Sequence, residues 1–433
     1  MPISCNTRFT ENHISLAETQ ACIRSNGTLI QRVRQGLEWK ESLLSWLSVD
    51  TSAPEANLED LVRTARYVQE LATVMIVIGI GGSNRGAIAG IQALHRSLKS
   101  PTRVVFAGDT LSTVKIQDTL ALMQTESIVL NVIAKDFNTV EPGITFRVLR
   151  EAMQAKYGSS YHTRIIVTGS TGPGQLQDLA RLQGYHFLEF PKNIGGRFSV
   201  LSNVGLFPMA VAGIDIRKLC GGARETEFSL KHTDSLENPA VRYAVNRLLL
   251  LEKGFQIESL VVYEPDLVPF ARWFVQLFAE TEGKTSKALL PTFFSYSEDL
   301  HAVGQFVQQG PRTIIETLLN LFFESPSVII HPSPEVGDGF DYLDNQPFDK
   351  LNQSVYQAAL SAHVQDNIPC FEFVAGKGIC EETLGSLFYF FMFACYLSAC
   401  LLQVNPFNQD GVENYKKNLY ALLGKPVLAK DLA

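Results

Sequence analysis

Val74-Met75-Ile76-Val77-Ile78-Gly79-Ile80-Gly81-Gly82-Ser83-Asn84-Arg85-Gly86-Ala87-Ile88-Ala89-Gly90 reads as a buried strand, a glycine turn and the start of a helix. Val74 to Ile78 has the length and β-branched content of a strand covered on both faces, while Arg85 to Leu98 carries apolar residues at helical spacing. The intervening Gly79, Gly81, Gly82 and Ser83 let the backbone approach a ligand and turn its N–H groups toward it, and a helix N-terminus favours negative charge. Phosphate is the natural guest. The dinucleotide pattern G-x-G-x-x-G fails because Asn84 stands where its third glycine would be, and no Gly-Lys-Ser/Thr follows to make a Walker loop. The same arrangement also serves many α/β domains merely to pack a helix on a sheet.

Outward from this stretch, helix and strand alternate from Leu58 onward. Strands are predicted near 74–79, 103–107, 127–134, 163–168 and 186–190, which makes a parallel, doubly wound sheet. A largely helical bridge follows from Gly195, and the alternation then resumes. Second-half strands are predicted near 258–263, 327–331 and 370–374, with helices around 268–279, 313–323, 350–363 and 384–402. Residues 1–50 read as helical and peripheral, with Ile30, Val33, Leu37, Leu43, Leu44 and Leu47 as an apolar stripe. The expected class is α/β, in five parts: an N-terminal helical segment 1–50, an α/β domain 51–194, a helical bridge 195–235, a second α/β domain 236–410 and a C-terminal helix 411–433. Ligands in such sheets sit outside the carboxyl ends of the strands, where Gly79 to Ser83 falls, with the cleft between two similar domains.

Composition narrows the partners. At 433 residues, 46% hydrophobic and 19% charged, the chain is an ordinary folded protein rather than a disordered one. Its net charge of -7 comes without a basic block or an aromatic-interleaved Lys/Arg stripe, which argues against nucleic acid and anionic membrane. Seven cysteines without a C-x-x-C suit reduced thiols in a cytoplasm, and no signal peptide is evident. The uncharged run Leu384 to Val404 is long enough to span a bilayer, but Gly385, Ser386, Ser398 and Gln403 interrupt it and no basic cluster flanks it. A helix buried on all sides is expected. Asp338, Asp341 and Asp344 lack the Ca²⁺-loop spacing and read as a solvated acidic loop, so no metal is expected.

Three further stretches carry more specific information: Gly195-Gly196-Arg197-Phe198-Ser199-Val200-Leu201-Ser202, Glu280-Thr281-Glu282-Gly283-Lys284, and Asn405-Pro406-Phe407-Asn408-Gln409-Asp410-Gly411-Val412-Glu413-Asn414-Tyr415-Lys416. Together with the glycine turn, in this order, they resemble the motifs of the glucose-6-phosphate isomerase family, particularly its shorter bacterial form. The resemblance runs from about residue 60 to the C-terminus. It implies two sugar-isomerase-type domains with mainly parallel sheets, and an aldose-ketose isomerase that opens a sugar-phosphate ring and moves a proton between C1 and C2 through an enediol, with no cofactor.

That chemistry needs a base beside the carbon acid, a donor and acceptor for the ring oxygen, positive charge at the enediolate and a phosphate clamp. The resemblance gives the base to Glu280, whose structural alternative is a solvated carboxylate at a helix end capped by Gly283. It gives ring opening to His301, supplied to the neighbouring subunit of a homodimer, where a histidine satisfying local backbone groups is the plain alternative. Arg197 answers the enediolate charge, or else forms a salt bridge tying the two domains together. Lys416 matches a lysine near the ring oxygen, and Gln276 and Gln409 match substrate-contacting amides. Gly82, Ser83, Lys135 and Thr139 match phosphate contacts. The stretch Ile133 to Pro142 departs from the family's usual I-S-K-S-G-T-T-T-E-P: Ala134 and Asp136 replace two hydroxylated positions, and a carboxylate beside a phosphate repels it. One alternative is therefore a family-like sugar-phosphate-binding protein with weak or altered activity. Another, a nucleotide-dependent oxidoreductase, rests only on the glycine turn.

Overall fold

Strands made wholly of apolar residues are stable only where both faces are covered, and these fill the centre of the molecule. The computed structural model describes residues 3–39, 43–135, 137–172, 175–323 and 327–425. Its strands are β1 (Ile3–Asn6), β2 (Val74–Ile78), β3 (Arg103–Ala107), β4 (Ile128–Ala134), β5 (Ile165–Gly169), β6 (His186–Glu189), β7 (Ile257–Val262), β8 (Leu290–Ser295), β9 (Ile314–Asn320) and β10 (Cys370–Ala375). They form two five-stranded sheets, ordered β3-β2-β4-β5-β6 and β1-β10-β9-β7-β8. Every pairing is parallel except β1 against β10. In the first sheet the winding reverses between β2 and β4, so the glycine turn after β2 and the segment after β4 flank the switch point where α/β sheets accept ligands.

The uncharged run near the C-terminus is a core helix. Glu381–Leu401 is long and apolar enough to cross a membrane, but its apolar window is 100% buried inside the protein. It packs against the helices Ile216–His232, Pro239–Glu252 and Val268–Glu282. Gly385 has a positive reason to interrupt the apolar run. A Cβ there would lie 1.8 Å from Leu219 O, and one on Gly222 would lie 1.9 Å from Glu382 O, so the two helices cross backbone to backbone.

Several expectations need correction. The N-terminal segment is not wholly helical, because Ile3–Asn6 is an antiparallel edge strand on β10. Leu37 is exposed rather than part of a buried stripe. The helix expected over 313–323 is strand β9, Ile314–Asn320, which is buried on both faces and so lacks the alternation that marks a strand open on one face. The strand expected over 327–331 is only an isolated bridge, Ile329 to Pro347. β8 is a strand that the sequence does not signal: Pro291 argues against a central strand, and β8 accommodates it by lying at the sheet edge.

The second sheet also buries carboxylates. Arg247, 1% exposed, reaches Glu258 through Nε at 2.6 Å and Glu282 through both terminal nitrogens at 2.8 and 3.0 Å. Tyr243 Oη and Thr317 Oγ1 donate to the other oxygen of Glu258 at 2.5 and 2.7 Å, and Arg247 Nη1 donates to Ser398 Oγ at 2.7 Å. Burial alone would lower the Arg247 pKa, but Glu258 and Glu282 hold it well above its ordinary value. One guanidinium thus joins two helices, strand β7 and the core helix. Removing it leaves two buried carboxylates without a counter-charge, so Arg247→Met should cost about 3–5 kcal/mol in urea unfolding. A loss below about 1 kcal/mol would mean that the carboxylates are neutralised by other means.

Candidate active site

Two short glycine-led turns meet at the carboxyl end of β2. Gly81–Ser83 follows that strand, and Gly196–Phe198 opens the segment leading to the Asn203–Val211 helix. A Cβ on Gly82 would sit 2.2 Å from Gly196 O, so the turns touch through their backbones. The amide of Gln276, on the Val268–Glu282 helix, lies against Gly81, since a Cβ there would be 3.0 Å from its Nε2. One turn later on the same helix stands Glu280.

Glu280 is the centre of a polar cluster. Its carboxylate accepts a hydrogen bond from Gln276 Nε2 at 3.0 Å and another from Gln409 Nε2, and it pairs with Arg197 Nη2 at 3.2 Å. Its side chain keeps 24% exposure while that of Arg197 keeps only 3%. The cleft beside it, about 650 Å³, is lined by Glu280, Lys284, Asn405, Asn408, Gln409 and Asp410 among others. That volume suits a small polar metabolite.

Arg197 is more fully engaged than an arginine that merely awaits substrate. Besides the carboxylate of Glu280, its terminal nitrogens reach the carbonyl oxygens of Glu280, Pro406 (3.0 Å), Asn408 (3.2 Å) and Phe407 (3.5 Å). Burial lowers its pKa, and the neighbouring Glu280 carboxylate offsets this. Arg197 thus ties separate segments together and keeps a positive charge beside Glu280.

Not every site residue expected from the sequence converges. Gly82, Arg197, Gln276, Glu280 and Gln409 do, with Ser83 closing the glycine turn. Lys135 turns its ammonium to the carbonyls of Lys192 (3.0 Å) and Ile194 (2.8 Å), and burial lowers its pKa. Thr139 is exposed immediately before the Val140–Tyr157 helix. Ala134 ends β4, buried opposite Gly169, while Asp136 lies outside the described residues. His301 is exposed on the short turn Glu298–His301, and Lys416 pairs with Glu413 at 2.7 Å on the Glu413–Leu422 helix. Neither lines the cleft. Lys284 does, and sequence reading assigned it no role although it closes the Glu280 to Lys284 motif. Among the described residues no group of three or more His, Cys, Asp or Glu is placed to hold a metal ion.

Residues 61–312 match the family described as phosphoglucose isomerase. A glucose-6-phosphate isomerase from Caldanaerobacter subterraneus subsp. tengcongensis is 39% identical over 90% of this chain and 88% of that protein. The chain belongs to the phosphoglucose isomerase family. A Staphylococcus epidermidis glucose-6-phosphate isomerase is 36% identical over 92% of this chain and 91% of its own. Two solved structures share the fold: a hypothetical protein from Thermus thermophilus (TM-score 0.85, 24% identity, 97% of this chain and 99% of that one) and a glucose-6-phosphate isomerase from Chlamydia trachomatis (TM-score 0.82, 18% identity, 98% and 88%).

For a phosphoglucose isomerase fold the contact between the two glycine turns is a sharp constraint. Gly82→Ala must push the Gly196 backbone away by roughly an ångström, carrying Arg197 with it. Activity on fructose 6-phosphate should fall by about 10²-fold, the cost of misplacing catalytic groups by that distance. Near-normal turnover in the alanine variant would show that the contact does not set the site.

Proposed function

We propose that the chain interconverts glucose 6-phosphate and fructose 6-phosphate, with Glu280 as the base. The observation that carries this reading is the carboxylate of Glu280 at the cleft edge, oriented by two amides and a guanidinium. After ring opening, Glu280 removes the C2 proton of the aldose, leaving the electron pair in a C1–C2 enediolate. A proton passes from O2 to O1, and Glu280 returns its proton to C1 to give the ketose. Arg197 contributes a fixed positive charge near the enediolate while its hydrogen bonds hold the surrounding chain. Gln276 and Gln409 orient the carboxylate and contact substrate. The phosphate group goes to the glycine turn at Gly82 and Ser83, with Lys135 and Thr139 from the neighbouring segment. The binding-only alternative is not favoured, since relatives 36–39% identical over most of the chain are named glucose-6-phosphate isomerases.

Ring opening is assigned to His301 and Lys416, with His301 supplied by the partner subunit of a homodimer. That His301 does not line the cleft of the single chain supports the partner's role, as do exposed apolar residues that association would cover: Val328 (69% exposed), Val336 (66%), Phe340 (57%) and Tyr342 (74%). The two sheets are taken as the cores of the two sugar-isomerase domains. A cytoplasmic location is supported by seven cysteines, all free thiols.

Glu280→Gln keeps the shape but removes the proton acceptor, so kcat should drop at least ~10²-fold with KM nearly unchanged in an assay from fructose 6-phosphate. A variant retaining full kcat would remove Glu280 from the base role. For the shared site, mixing inactive Glu280→Gln and His301→Ala chains should restore part of the activity, because a hybrid dimer has one site carrying neither change. Inactive heterodimers of demonstrated composition would place His301 in its own subunit's chemistry.

A further inference from the structure

The turn that delivers Gln409 is held by an unusual arrangement of charge. Four consecutive carbonyls point at two cations: Asn405 O accepts from Lys284 Nζ, and Pro406, Phe407 and Asn408 O accept from Arg197. The last carbonyls of the Val268–Glu282 helix are shared in the same way, Glu280 O with Arg197 and Thr281 O with Lys284 at 2.9 Å. A lysine beyond a helix end commonly caps that helix's own carbonyls. Here it also reaches a segment 121 residues away, so capping alone does not account for it.

Resting on the function proposed above, we propose that Lys284 is a positioning residue: its ammonium ties the 405–408 turn to the end of the Val268–Glu282 helix and so sets the amide of Gln409 on the carboxylate of Glu280. Arg197 grips the far side of the turn and Phe407 packs on Phe198 and Tyr396, which fixes the body of the turn. Lys284 fixes its first residue. Partial burial and, after it, the adjacent Arg197 lower the pKa of Lys284 to about 8, against the opposing pull of Cys395 on the core helix, Glu280 on the preceding helix and Asp410 on the facing turn. A group that loses its charge near pH 8 weakens its hold on two carbonyls as the solution becomes alkaline.

The test compares wild type, Lys284→Met and Lys284→Arg in three measurements. In the fructose 6-phosphate assay at pH 7, Lys284→Met should lower kcat about tenfold and leave KM within about twofold, the signature of a misaligned base rather than lost substrate binding. Wild type should lose kcat on an alkaline limb near pH 8, and Lys284→Arg, permanently charged, should keep measurable activity without that limb. Hydrogen exchange should quicken in the peptide covering residues 403–412 of Lys284→Met while strands β2 and β4 stay protected. A lower Tm with unchanged kcat and unchanged exchange would make Lys284 merely structural, and a raised KM at constant kcat would make it a substrate contact. Either result overturns the proposal. Should wild type fail to turn over fructose 6-phosphate, the functional reading falls, and the exchange measurement alone then decides whether Lys284 holds the turn.

Discussion

The guanidinium of Arg247 sets where the cleft carboxylate, Glu280, can be. Glu282 and Glu280 lie two residues apart at the end of one helix and so project to different sides of it. Glu282 is drawn into the core by a two-nitrogen ion pair with Arg247, and Glu280 is left at the cleft edge. A buried ion pair is weak evidence for stability, since apolar residues of equal volume often do as well. Its value here is specificity of position. No apolar packing would fix the rotation of the last helical turn as firmly as a planar fork bound to a carboxylate, and the same guanidinium is itself held by Glu258 of β7 and Ser398 of the core helix.

From that anchor the site follows by successive contacts. The helix end presents Glu280; the amide of Gln276 one turn earlier holds it and touches the glycine turn; the turn touches Gly196, whose neighbour Arg197 returns to Glu280. The circuit closes through backbone contacts at Gly82, where any side chain would force the two turns apart. Such closure explains how a rather open cleft can hold groups in fixed relation without a large apolar wall around them.

The first sheet was legible because its strands are short apolar runs separated by amphipathic helices, and β2 to β6 fall within a few residues of where periodicity puts them. The second sheet was harder for a physical reason. Glu258, Glu316 and Glu372 sit within its strands, each tied to a tyrosine hydroxyl from Tyr243, Tyr296 or Tyr356, and a charged residue in an apolar run blurs both the strand and its limits. Local sequence also could not show that Ile3–Asn6 pairs with a strand more than 360 residues later. At the site, the family resemblance named Glu280, Arg197, Gln276 and Gln409 but not what each touches. The many carbonyl bonds of Arg197 depend on how the chain turns at 405–408, and no pattern in one segment encodes that meeting.

The distribution of proton-handling groups is uneven across the cleft of one chain. Among the described residues its lining supplies two carboxylates, Glu280 and Asp410, several amides and one cation, Lys284, but no histidine. Carbon-acid chemistry needs the first of these, whereas opening a sugar ring needs a group that both gives and takes a proton near neutral pH, which imidazole does and a hydrogen-bonded guanidinium does not. On the proposed reading the two halves of the reaction are therefore assembled by different means. The folded chain alone builds the half around Glu280, through contacts reaching back to the core at Arg247. The half around His301 waits on association, so subunit concentration would govern activity even where each chain is fully folded.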